Sequence, residues 1–255
     1  MPEWLVRTAF VNVARFADRV VAVSAAGARA LADAGVSPGK LLAIPNGVDT
    51  DRFSPALRAN RGDILGNLFG LALPAETILV GGAGNLRAVK GYDVFVEAAA
   101  RIAAFTPDVR FVVWGEGSER GALEGLIRER GLGDRFLLPG RTSSPEISLA
   151  ACDVFVQPSR EEAFGLAAAE AMSCGVPVIA SAAGGLSELV EDGVSGLLVT
   201  PGDIGSLAAN LGYLLRNPDL RAGMGTRARE RICAQFQVQR MVRDFLILYD
   251  LLLHD

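Results

Sequence analysis

The chain holds a single histidine, His254, next to its last residue. Ser-His-Asp hydrolysis, multi-histidine metal sites and histidine proton relays are therefore set aside. Any chemistry falls to carboxylates, lysine, arginine, backbone amides and the substrate's own groups. Cysteine is scarce too. Cys152, Cys174 and Cys233 are odd in number, widely spaced and without a CxxC pair, so they read as buried thiols of a reducing compartment. No run approaches the roughly 18 apolar residues of a membrane span. The apolar stretch 4–16 is broken by Arg7, Asn12 and Arg15 and preceded by Glu3, unlike a signal peptide. A soluble, cytoplasmic protein is expected. With 25 Lys and Arg against 29 Asp and Glu, net charge −4, there is no basic excess to neutralise a nucleic-acid backbone.

What is present is a large apolar fraction. Of 255 residues, 50% are hydrophobic and 21% charged, which excludes disorder and supplies a sizeable core. Short β-branched runs at 19–23, 41–44, 77–82, 109–114, 135–138, 153–156, 177–181 and 195–199 alternate with stretches of helical length such as 92–105, 119–130 and 165–174. Alternating strands and helices predict an α/β fold, a doubly wound parallel sheet of Rossmann-like type. The runs are almost wholly apolar, as strands buried on both faces are. Segment 45–62 has turn residues, mixed charge and no apolar period, and reads as a linker. Six strands follow it, enough for one complete domain. Only two precede it, with a helix at 25–34 capped by Ser24 and ended by Gly35. The tail after Asn217-Pro218 reads as helical, and its last helix carries Phe245, Leu246, Leu248, Tyr249, Leu252 and Leu253 on an apolar face.

Ligands of an open parallel sheet bind beyond the carboxyl ends of its strands. Gly84, Asn85, Arg87 and Lys90 follow the run at 77–82. Gly115 to Ser118 follow 109–114, and Arg141 and Thr142 follow 135–138. Gln157 to Gly165 follow 153–156, and Gly184 and Gly185 follow 177–181. Glycines let backbone amides approach a phosphate, and helix amino termini favour negative charge. This edge is expected to take a nucleotide diphosphate. There is no GxxxxGK[ST], and Gly82-x-Gly84 and Gly115-x-Gly117 miss the dinucleotide fingerprint, which leaves Glu116 a minor claim as a ribose acid. Taken alone, Lys90 reads equally well as a solvated lysine and Arg141 as a local cap. Arg160 and Glu161 read as surface charges, and Trp114 and Phe155 as core. Gly184-Gly185, ahead of a helix on the binding edge, favours an anion.

Glu162 and Glu170 stand eight positions apart in EAFGLAAAE. A helix starting near Gly165 would set Glu170 roughly 7–8 Å from its amino terminus, so that phosphates at the helix tip and a ribose further along share one ligand. Glu170 lies among Ala167, Ala168, Ala169, Ala171 and Met172 and needs a partner, and a vicinal diol offers two hydrogen bonds to one carboxylate.

The run EAFGLAAAEAMSCGVPVIASAAGGLSELVEDGVSGLLV, with ADRVVAVS, IPNGVDTDRFSP, GNLRAVKGYDVFVEA and DVFVQPSREEAFG in the same order, strongly resembles the nucleotide-sugar-binding half of the family-4 retaining glycosyltransferases. These have two facing Rossmann-like domains, the GT-B architecture. The resemblance implies that Glu170 binds ribose hydroxyls and Glu162 faces the donor sugar. Backbone amides around Phe164, Gly165 and Leu166 would hold sugar and phosphate, Lys90 and Arg87 would neutralise the diphosphate, and Gly84 and Asn85 would line the donor. The base would lie beside Arg141 and Thr142. Many relatives carry arginine five residues before the lysine; Asn85 stands there, and Arg87 takes over the role. The resemblance further implies sugar transfer from a nucleotide diphosphate sugar to an acceptor the sequence does not name, with the anomeric configuration retained and neither metal nor separate cofactor. Relatives have well over one hundred further residues before ADRVVAVS, which supply the acceptor pocket. Residues 1–54 are thus expected to be the remnant of an amino-terminal domain with its hinge, 55–217 the donor domain, and 218–255 helices packing back toward the first. The other reading is a catalytically silent nucleotide-sugar-binding module, or half an enzyme completed by a partner chain. If nothing covers the apolar faces of 3–16 and 241–253, the chain should self-associate. Light scattering should then give a mass that grows with concentration, and a constant monomer mass would refute this.

Overall fold

The computed structural model describes residues 11–69, 73–74 and 76–254. Each of the eight apolar runs forms a strand: β1 (Val20–Ala22), β2 (Leu41–Ala43), β3 (Ile78–Ala83), β4 (Val109–Trp114), β5 (Phe136–Gly140), β6 (Val154–Gln157), β7 (Val178–Ser181) and β8 (Gly196–Val199). All pairings between them are parallel. Strands β1 and β2 make a separate two-stranded sheet, and the other six run in the order β5-β4-β3-β6-β7-β8. The chain winds outward from β3 to β5, then returns to lay β6 on the other side of β3. The order reverses between β3 and β6, where an open α/β sheet leaves its crevice.

Helices cover both faces. The main ones are α1 (Ala25–Asp33), α2 (Arg61–Phe69), α3 (Tyr92–Ala103), α4 (Arg120–Glu129), α5 (Pro145–Ala150), α6 (Leu166–Ser173), α7 (Leu186–Leu189), α8 (Ile204–Arg216), α9 (Pro218–Gln235) and α10 (Val238–His254). Alternation along each strand divides the core in two. On one face Leu79, Val112 and Phe155 pack with Ala168, Ala169 and Met172 of α6 and with Ala228 and Ile232 of α9. On the other, Val80, Phe111 and Val113 pack with Phe95 of α3 and Leu211 and Leu214 of α8. There Phe95, Phe111 and Phe136 meet with ring centroids 5.1–6.1 Å apart, within the range of favourable aromatic pairs.

Segment 45–62 is not the structureless linker its composition suggests. Pro55–Asn60 forms a 3-10 turn and α2 starts at Arg61. What orders it lies about ninety residues away. Asp153, at the foot of β6, takes Arg58 on one oxygen and Arg61 on the other (2.6 Å), and that second oxygen also accepts the Leu79 amide at 2.8 Å. Val48 and Phe53 join the larger unit's core, and Val48 pairs with Gln237 between α9 and α10. The Asp49-Thr50-Asp51 run is a turn in which Asp49 Oδ1 accepts the amides of Asp51 (3.1 Å) and Arg52 (3.0 Å).

The leading unit is fastened beside the main sheet's upper edge. Ser24 caps α1 as expected, accepting the Gly27 amide, while its hydroxyl donates to the Ala163 carbonyl at 2.7 Å. The amides of Ala25 and Ala26, in the first turn of α1, donate to Glu188 at 2.9 and 2.6 Å, a carboxylate on a helix amino terminus. On α10, Leu248 is buried whereas Val242, Leu246, Ile247, Tyr249, Leu251 and Leu253 are exposed. The first part of the other expected apolar face, 3–10, lies outside the described residues. No described helix is long and apolar enough to cross a membrane.

Removing one partner from a buried charge cluster strands the others. Asp153→Asn should lower the unfolding free energy by about 3 kcal/mol in chemical denaturation. A loss under about 1 kcal/mol would show that the two arginines are dispensable.

Candidate functional site

A cleft of about 510 Å³ opens at the carboxyl ends of β3, β4 and β6, over the point where the strand order reverses. Eight of the residues singled out from the sequence line it: Gly84, Asn85, Lys90, Arg141, Thr142, Glu162, Leu166 and Glu170. Its remaining walls come from Ala83, Trp114, Gly115, Glu116, Gln157 and Ala167.

The α6 helix supplies one wall. Gly165 precedes it with φ +98°, a conformation that side chains disfavour, and no side chain caps it. The first amides of α6 lack intrahelical acceptors, and Leu166 and Ala167 bring them to the cleft. One turn further in stands Glu170. Among the described residues no hydrogen bond or ion pair satisfies its carboxyl group. Burial, and secondarily the nearby Glu146, push its pKa up to about 7, opposed by Arg52. The expected apolar surroundings and missing partner are both present.

The second glutamate is differently placed. Glu162 Oε2 accepts Lys90 Nζ at 2.7 Å, Ser159 Oγ at 3.1 Å and Gln157 Nε2 at 3.3 Å. Lys90 is thus not a free solvated lysine but an ion-pair partner with 24% of its side chain exposed. Glu116 is paired with Arg120 at 2.9 Å. Thr142 Oγ1 lies 2.8 Å from Ser148 Oγ and accepts the Ser144 amide. Among the described residues no group of three or more His, Cys, Asp or Glu gathers as a metal ion would need.

Three expected site residues stand elsewhere. Arg87 is exposed in a neighbouring groove with Asp93, Glu119 and Arg160, because the turn at Ala88–Lys90 sends the side chains of Arg87 and Lys90 to different sides. The Phe164 ring is buried against Phe236, with centroids 5.8 Å apart, and neither Phe164 nor Gly165 is among the residues lining the cleft. The Gly184-Gly185 pair has a packing role of its own. A side chain at either position would strike the carbonyls of Glu162 and Ala163, and the Gly185 amide donates to Glu162 O at 3.0 Å. The glycine pair lets one loop press on the other. Arg160 also does more than decorate the surface, since it bonds both oxygens of Asp93 at 2.8 and 2.6 Å. Trp114 is core by burial and yet lines the cleft. Gln157 is read from the sequence only as the first residue after 153–156, with no role of its own, and it proves to be the last residue of β6, beside the order reversal.

Residues 67–231 match the family model described as glycosyl transferases group 1. The chain belongs to this family. Residues 2–52 match the model of glycosyltransferase family 4. Among curated relatives, the D-inositol 3-phosphate glycosyltransferase of Stackebrandtia nassauensis is 37% identical over 223 residues, 83% of this chain and 49% of the relative. That of Geodermatophilus obscurus is 38% identical over 216 residues, 80% and 47% respectively. The chain thus spans about half the length of the curated relatives it matches. Solved members superpose closely. Anabaena HepE in complex with UDP and glucose gives a TM-score of 0.89 at 29% identity, covering 98% of this chain and 67% of that one. Sucrose-phosphate synthase of Thermosynechococcus elongatus gives 0.88 at 31%, covering 100% and 63%. The six-stranded parallel sheet with its flanking helices matches the Rossmann-like fold of GT-B glycosyltransferase structures.

Because the folded protein holds the Glu170 proton more tightly than the unfolded chain, the native state is favoured at low pH. It loses that advantage as pH rises from the ordinary carboxyl range through about 7. Glu170→Gln should flatten the decline in denaturation midpoint between pH 4.5 and about 7, the interval of the shift. An equally steep decline in the variant would refute the assignment.

Proposed function

We propose that the chain is the donor-binding part of a glycosyltransferase that transfers a sugar from a nucleotide diphosphate to an acceptor with retention of anomeric configuration. The observation that carries this reading is Glu170. It is a cleft carboxyl group without a partner, one turn inside a helix whose uncapped amino end faces the same space, with Lys90 also on the cleft wall. Diphosphate charge suits the α6 amides and Lys90, and two ribose hydroxyls suit the carboxylate of Glu170. A bound diol would supply the donors that Glu170 lacks and draw its pKa back down. The loop of Arg141 and Thr142 borders the far end, where a base would lie, and Glu162 is the acceptor that meets the sugar.

In this reading the chain stabilises the leaving group. Negative charge grows on the departing diphosphate as the glycosidic bond breaks, and prearranged amides and an ammonium group meet it without a metal. Lys90 carries this role, because Arg87 stands outside the cleft. The departing phosphate accepts the acceptor's proton, so no histidine is required. Cytoplasmic location follows from the cytosolic supply of such donors and from the free thiols. Nucleotide-sugar binding without transfer is the second reading. It rests on the chain's spanning about half of those relatives, with acceptor binding supplied by another segment or a partner chain.

Calorimetry with UDP, GDP and ADP tests the donor site, with UDP first because HepE was solved with it. One nucleotide should bind to the wild type, and Glu170→Ala should weaken it by about 10–100-fold, the effect of hydrogen bonds to a charged group. Unchanged affinity in the variant would overturn the ribose assignment. Efficient transfer by the purified chain would remove the second reading.

A further inference from the structure

At the opposite end of the main sheet from the donor cleft, a cavity of about 290 Å³ opens where the turn Pro55–Asn60, the end of α6 and the start of α9 meet. Its charged lining residues are Arg58, Arg221 and Asp153. Asp153 stands at the foot of β6, whose other end reaches the cleft at Gln157. Helix α6 likewise begins at the cleft and leads to Cys174 and Gly175 beside the cavity, a rise of about 12 Å over its eight residues. The two sites share elements but no lining residue.

Around this cavity cations outnumber anions. Arg58 and Arg61 take one oxygen each of Asp153, and the second oxygen also accepts the Leu79 amide. Even so, Arg61 Nε is buried without an acceptor. Arg221 is half-buried and has no carboxylate of its own. Its Nη1 donates to the carbonyls of Leu214 and Leu215 at 3.0 and 3.4 Å, which caps the end of α8. That role uses one of its three nitrogens, and Nε and Nη2 have no acceptor among the described residues. Burial, with Arg58 and Arg61 nearby, draws the Arg221 guanidinium below its ordinary range against the pull of Asp153. Three guanidinium groups thus share one carboxylate, a costly arrangement for partly desolvated charge. The opening turn of α9 adds to the imbalance. No side chain caps it, and its first amides, at Asp219 and Leu220, lack intrahelical acceptors. Asp219 itself is exposed and does not line the cavity.

We propose that this cavity is a second binding site, one for a phosphate group, with Arg58 and Arg221 as its cationic walls and the α9 amides at its edge. Adjacent N–H groups of a planar guanidinium match two oxygens of a tetrahedral dianion. The bound phosphate joins the turn of Arg58 to the start of α9. This inference is independent of the donor-site reading, because none of its residues lines the cleft.

The test is a ¹H–¹⁵N NMR titration of the full chain with inorganic phosphate at about pH 8, where phosphate is a dianion, beside sodium chloride at matched ionic strength. The amides of Gly175, Asp219 and Leu220 should shift along one saturating curve with phosphate and not with chloride. Arg221→Gln should weaken that binding by about 10-fold or more, the loss of hydrogen bonds to a charged group. Ala222→Glu sets a carboxylate in the cavity wall while leaving the Arg221 cap of α8 in place, and it should weaken binding at least as much. The same titration with glycerol 3-phosphate distinguishes the sources, since tighter binding assigns the site to a phosphate ester and weaker binding to the free ion. Absence of a saturating shift at these amides, an equal response to chloride, or full affinity in Ala222→Glu would overturn the proposal. Shifts confined to Gly84–Lys90 and the first turn of α6 would also overturn it, by placing phosphate in the donor cleft alone.

Discussion

The central constraint is the brevity of the contact between β3 and β6. Val80 with Val154 and Gly81 with Phe155 pair across β3 and β6, extended at their foot by the hydrogen bonds between Asp153 and Leu79, whereas β3 and β4 pair along six. The chain leaves β3 in one direction and β6 in the other, so the loops beyond them diverge and no strand fills the space above. Everything placed at the cleft depends on this parting. The loop of Gly84 to Lys90 comes from one half, and Gln157, Glu162 and the start of α6 come from the other. Buried apolar residues on both faces hold the parting open, because neither half can lean inward without disturbing a packed layer.

Three carboxylates, Glu116, Glu162 and Glu170, line one cleft, and the protein disposes of their charge in two ways. Glu116 is paired with Arg120, and Glu162 accepts Lys90 and two neutral donors. Glu170, with no ion-pair partner among the described residues, is partly protonated near neutrality because burial outweighs the pull of Arg52. A ligand with an anionic centre and hydroxyl arms matches both, since the first draws on Lys90 and the α6 amides while the second supplies hydrogen to the carboxyl oxygens.

The sequence announces the scaffold through its local rhythm. Eight β-branched runs give eight strands, Ser24 gives its cap and Gly165 its helix start, because each depends on a few adjacent residues. The cleft's outline is legible for the same reason, as strand ends are local and the order reversal follows from topology. What local patterns do not carry is pairing at a distance. The ordering of 55–69 depends on Asp153, far along the chain, and Gly62 and Gly66 blur the helical signal of α2. The direction of Arg87 against Lys90 is set by one tight turn, and the Gly184-Gly185 pair takes its packing role from backbone pressed against backbone. Gln157 is hidden by its strand, whose apolar run draws the eye inward.

The hydroxyl of Ser24 ties the leading sheet to the carbonyl of Ala163, and Glu188 ties the same helix end to α7. Ala163 is the peptide neighbour of Glu162 and stands two residues ahead of Gly165, where α6 begins. The small sheet is therefore rigged to the mouth of the cleft like a rudder to its tiller. Any swing of β1, β2 and α1 is delivered to Ala163, in the three-residue stretch that separates Glu162 from α6.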